Sequence, residues 1–148
     1  MKTKRKNAGQ SLVEFALILP LFMVLIMALF DIGRAVLYYA ALNTAAREGT
    51  RFAIVQPDSD FVGAFDCANT GLPTTVDNIC TEVMSKLFNI SDLDRSTITI
   101  EYSTQNDNEI VQIGIELAYE PITPGLGLIG DFTLSANSQM LLTPIAKN

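Results

Sequence analysis

The amino-acid sequence predicts an α+β protein in which a long N-terminal transmembrane helix packs on a small three-stranded antiparallel sheet. Three observations predict it: an uncharged apolar run near the N-terminus, a helical pattern that continues beyond that run, and three later segments whose apolar residues alternate with period two. With 148 residues there is room for one compact domain beside a membrane segment, which excludes a two-domain enzyme. The expected organisation is a basic leader over 1–9, a long helix over 10–55 with its membrane part at about 10–30, and an extracytoplasmic α+β domain over 56–148.

The helix comes first because its signal is strongest. From Gln10 to Phe30 the only charge is Glu14, and the 16 residues from Phe15 to Phe30 carry none. About 20 apolar residues of helix cross a ~30 Å hydrocarbon core, so this run is long enough. Eleven of the 16 are Leu, Ile, Phe or Val. At about 0.3 to 0.6 kcal/mol each they favour insertion by roughly 3 to 6 kcal/mol, which offsets one carboxyl group near an end. A cleavable secretory signal is the competing reading, but its apolar core runs only about 7 to 15 residues before a small-residue cut site. Here Asp31 to Val55 contains no Pro, only Gly33 and Gly49, and many alanines, so one helix continues to Val55, about 69 Å at 1.5 Å per residue. Pro20 removes a backbone hydrogen bond inside it and predicts a kink. Ala41, Ala45 and Gly49 recur every four positions. That stripe admits close helix packing, either against another chain or against the protein's own sheet.

Charge is divided unevenly. Residues through Gln56 carry a net +4 and the remainder −10, within a total of −6. Lys2, Lys4, Arg5 and Lys6 precede the apolar run with no acid among them, which places that end in the cytoplasm and the residues beyond the span outside. The acidic remainder repels phosphate backbones, so no nucleic-acid partner is expected. Cys67 and Cys80 both fall on the outer side, where thiols can oxidise to a disulfide; two small buried thiols are the alternative.

In the outer domain, Pro57 to Thr75 is rich in Asp, Gly, Asn, Pro and Thr and reads as loop. Val76, Ile79, Val83, Leu87 and Ile90 then recur at helical spacing, with Cys80 on the same side. Three strands come next: Ile98, Ile100 and Tyr102 share one face, Val111 to Tyr119 a second, and Phe132 to Leu142 a third. The sheet's apolar face needs a cover, and the outer half of the long helix is the natural one. Thr104 to Glu109 suits a hairpin loop, and Glu120 to Asp131 is a longer connection in which Leu126, Leu128 and Ile129 read as core, with contact to the membrane surface or a partner as the alternative.

Nothing points to catalysis. The chain has no histidine, no GxSxG, no HExxH and no phosphate-binding loop. Asp92 and Asp94 lack the glycine and terminal glutamate of a calcium loop and read as a solvated turn or helix cap, and Asn89-Ile90-Ser91 is a single glycosylation triplet. No catalytic residue, metal site, cofactor or small-molecule substrate is expected.

The string Gly9-Gln10-Ser11-Leu12-Val13-Glu14-Phe15, behind a basic leader, resembles the processing site of type IV prepilins. It is closer still to the pseudopilins of the tight-adherence (Tad, Flp) pilus system, in which cleavage follows Gly and a Glu–aromatic pair stands at the fifth and sixth mature residues. The stretches SLVEFALILPLF and DIGRAVLYYAALNTAAREGTRFAIV look like the TadE-like family, most specifically in AAREGTRFA. The resemblance implies a reduced pilin-like fold and cleavage between Gly9 and Gln10 by a prepilin peptidase. It also implies that Glu14, with Phe15 beside it, sets assembly register by pairing with the new terminal amine of a neighbouring subunit. The implied partners are the membrane, the peptidase, other pilins and pilus assembly proteins. The implied function is a minor pilin or pseudopilin that assembles or primes a Tad-type pilus for adhesion or secretion, in the bacterial cytoplasmic membrane. An uncleaved, membrane-anchored extracytoplasmic binding module is the alternative.

Overall fold

The computed structural model describes residues 8–56, 62–87, 90, 97–105, 108–124 and 132–142. In chain order the elements are helix α1 (Ala8–Val55), strand β1 (Gly63–Asp66), helix α2 (Thr74–Lys86), and strands β2 (Ile98–Gln105), β3 (Asn108–Tyr119) and β4 (Phe132–Leu142). The chain forms two compact units: residues 1–34 with 120–131, and residues 35–119 with 132–148. The α+β class expected from the sequence is the one found.

The second unit holds the core. Its sheet has the order β1-β2-β3-β4, antiparallel throughout, and β3 pairs with β4 over eleven positions from Glu109↔Leu142 to Tyr119↔Phe132. Alternation decides which face is buried. Ile98, Ile100 and Tyr102 of β2, Val111, Ile113, Ile115 and Leu117 of β3, and Ala136 and Leu142 of β4 point into one cluster, while Thr99, Glu101 and Glu116 point to water. The cover is supplied twice. From α1 come Leu42, Ala45, Ala46 and Ala53, with Thr50 on the same stripe, and from α2 come Val76, Ile79, Cys80 and Val83. Both sets follow the three- and four-residue spacing that makes one helical face. Tyr38 meets Tyr119 edge to face at 6.1 Å between ring centroids. Tyr102 meets Phe65 likewise at 6.2 Å, and burial pushes the Tyr102 phenol up from its ordinary value.

The sheet has four strands, not the three expected. The additional strand, β1, lies within the stretch read as loop. Its four residues contain one large apolar side chain, Phe65, too short a run for alternation to register. Pairing makes it a strand: Gly63↔Tyr102 through Asp66↔Thr99 align it on β2, and the Cys67 amide donates to the Ile98 carbonyl at 3.0 Å just beyond. Gly71, with φ of 82°, supplies the left-handed residue in the turn between β1 and α2. The second helix ends at Lys86, earlier than the apolar spacing to Ile90 suggested. Leu87 donates to the Met84 carbonyl and Ile90 to the Leu87 carbonyl, so the chain leaves the helical ladder while both side chains stay in the core. Of the stretch read as a hairpin loop, Thr104, Gln105, Asn108 and Glu109 pair as the ends of β2 and β3, because the ladder runs on to the edge of the described strands; residues 106 and 107 lie outside the described residues, as do Leu126, Leu128 and Ile129, Asp92 and Asp94, and Asn89.

Among the described glycines, Gly49 is the most closely packed. A Cβ there would collide with Val83 Cγ2 of α2 and stand 3.0 Å from Ile113 Cδ1 of β3, so the missing side chain lets three elements converge. Overpacking a well-filled core costs about 1 to 3 kcal/mol. Gly49→Ala is therefore expected to destabilise the folded domain by that amount despite the better helix propensity of Ala; urea denaturation in detergent, followed by tyrosine fluorescence, checks it.

Candidate functional site

The candidate site is the N-terminal part of α1 and the connection fastened to it. Within the first unit, the run Leu12 to Phe30 shows no buried stripe. Leu17, Ile18 and Leu19 are 75, 55 and 40 % exposed. Successive helical residues lie about 100° apart, so these three alone present apolar surface on every side. A helix apolar all round is stable only in a deep core or a bilayer, because water disfavours each exposed Å² by about 25 cal/mol. This segment is not in a core. By length and composition α1 is the one described helix able to cross a membrane.

The residues expected at its start lie on it in order. Gly9 and Gln10 fall in the first turn of α1; a Cβ on Gly9 would meet no atom within 4 Å, so its backbone is sterically open. Glu14 and Phe15 come one turn later, both exposed. A carboxylate at that height in an apolar rod is costly without a cationic partner. Pro20 sits inside α1, which is helical on either side of it. Residues 1–7 of the basic leader lie outside the described residues.

Ala41, Ala45 and Gly49 belong to the second unit and face its interior. Ala45 is buried, Ala41 packs partly buried on the cluster, and Gly49 meets Val83 and Ile113. The small-residue stripe thus seats α1 on its own core. Cys67 and Cys80 are joined by a disulfide that ties the end of β1 to α2, thirteen positions apart. Closing a loop of that size contributes about 3 kcal/mol in the chain-entropy picture. On the outer face of the sheet, Thr99, Glu101, Gln112, Glu116 and Asn137 line a shallow polar depression. Among the described residues, no three carboxylate or cysteine side chains gather as a metal site would require.

Asp31 is the residue that sequence reading missed. It is only 4 % exposed. Its Oδ1 accepts from the Ile122 amide at 3.0 Å; its Oδ2 accepts from the Thr123 amide at 2.8 Å and the Thr123 hydroxyl at 2.5 Å. Arg34, one turn on, places Nη1 3.8 Å from Oδ1. The carboxylate therefore clasps the start of the β3–β4 connection to α1, satisfying two backbone donors that no strand pairs. Its partners lie 91 and 92 positions away, a separation that carries no local signal.

Residues 9–51 match the family model described as TadE-like protein. The matched segment lies wholly within α1 and stops before the sheet and α2 begin. Over that segment the chain is similar to the TadE-like family, the one its motifs resembled; the match covers less than a third of its length. No curated protein and no solved structure matches the chain.

Removing the clasp is expected to act locally. In Asp31→Ala, the amides of Ile122 and Thr123 should exchange with solvent deuterium faster while those of β2 and β3 remain protected; hydrogen-exchange mass spectrometry in micelles reads both sets.

Proposed function

We propose that this chain is a non-catalytic minor pilin or pseudopilin of a Tad-type pilus, acting through lateral packing of its apolar helix. The observation that carries the reading is the exposed apolar cylinder from Leu12 to Phe30, which begins two residues after Gln10. The TadE-like match over that segment supports it.

The mechanism has three steps. The basic leader stays in the cytoplasm while the apolar run enters the bilayer and the remainder is translocated. Prepilin peptidase then hydrolyses the Gly9–Gln10 peptide bond. Water adds across it, leaving a carboxylate on Gly9 and an amine on Gln10, and nine residues with four basic side chains depart. Lastly, Glu14 of one subunit pairs with the new ammonium of a neighbour. In a low-dielectric setting a close pair of opposite charges is strongly favoured over either charge alone, so the pairing selects one axial register among sliding alternatives. Phe15 packs beside it.

Two measurements test this separately. Intact-mass spectrometry of the membrane-extracted protein should find Gln10 at the N-terminus; retention of residues 1–9 would instead support a permanently anchored binding module. Glu14→Ala should insert and be processed as before yet co-purify with sheared pili at a small fraction of the normal level. Unchanged incorporation would remove Glu14 from the mechanism.

A further inference from the structure

The clasp at Asp31 has a position as well as a geometry. At 1.5 Å per residue, the twenty residues from Ser11 to Phe30 span about 30 Å, the thickness of a hydrocarbon core. Asp31 is the first charge after the uncharged run, and Arg34 stands one turn later. A carboxylate and a guanidinium side by side at the end of such a run sit at headgroup level, because carrying either charge deeper into the hydrocarbon is costly. Any segment bound to Asp31 is therefore held at that level too.

The segment it binds is Pro121-Ile122-Thr123. Thr123 is buried, and its amide and hydroxyl bind the carboxylate. The Ile122 amide is fixed to the same group, yet its side chain is 64 % exposed. An exposed isoleucine on a surface in water is commonplace. Here the same compact unit contains the apolar run itself, with Phe30 exposed next to Asp31. An apolar side chain fixed at the depth where hydrocarbon meets headgroups gains by entering the acyl region.

We infer that Ile122 is a second membrane contact, inserted into the lipid at the headgroup boundary, and that Asp31 is the positioning residue that keeps it there. The inference rests on α1 spanning the bilayer. The connection would then anchor the chain to the lipid surface at a point distant in sequence from the span, limiting rotation of the helix about its own axis. A single helix lacks such a restraint.

The chain contains no tryptophan, so a single introduced indole reports its own surroundings. Full-length I122W and F30W are reconstituted separately in phosphatidylcholine vesicles, with and without lipids brominated on the acyl carbons nearest the headgroup. I122W should show blue-shifted emission, quenched by the bromolipid nearly as strongly as F30W and shielded from aqueous acrylamide. Adding Asp31→Ala, or the milder Asp31→Asn, should red-shift the I122W emission and restore acrylamide access, leaving F30W unchanged. If F30W is quenched while I122W emits as in water, the second contact is overturned and the span stands. If F30W is unquenched, the spanning helix itself is overturned, and the inference with it.

Discussion

An apolar rod without a polar face cannot be left in water, and every other arrangement in this protein is subordinate to that constraint. Between Leu12 and Phe30 the side chains cover all sides of α1, so no partial burial against a sheet could shelter them. The hydrocarbon interior of a bilayer, or other rods of the same kind, is the medium that accepts such a surface. The acidic, polar-faced remainder of the chain belongs in water.

Helix α1 changes its packing regime along its length. Up to Phe30 it is apolar all round; from Leu42 to Ala53 it carries one inward stripe of small residues and Leu42, with Arg47 and Arg51 exposed on the other side. The first pattern suits lipid, the second a sheet. Between them stand Asp31 and Arg34, the polar residues in contact with the β3–β4 connection or its clasp. Small residues on the stripe let backbone approach backbone, and the larger Ile, Val and Leu side chains of the strands and α2 fill the space they leave.

How much of this was legible depended on whether the determinants were local. The span was, because insertion depends on summed side-chain hydrophobicity over a contiguous stretch. The three longer strands were, because Ile98, Val111 and their successors alternate over enough positions to define a face. Strand β1 was not: Phe65 is its one strong marker, and its conformation is dictated by hydrogen bonds to β2 some 35 residues on. The end of α2 was misjudged for a related reason, since Leu87 and Ile90 keep helical spacing while leaving the helical ladder. In the candidate site, Gly9, Gln10 and Glu14 stand in one short string of sequence, and the structure carries them in order on the first turns of α1. Asp31 was not legible, because its partners Ile122 and Thr123 are brought to it only by the fold.

The close packing around Gly49 makes three distant positions interdependent. A methyl group there would have to be accommodated by removing volume at Val83 or Ile113, so the cost of changing any one of them depends on the other two. Related chains that carry a larger residue in place of this glycine should pair it with a smaller one on the facing helix or central strand. That trade-off would be visible as covariation across α1, α2 and β3, elements whose relation is otherwise hidden by the chain that separates them.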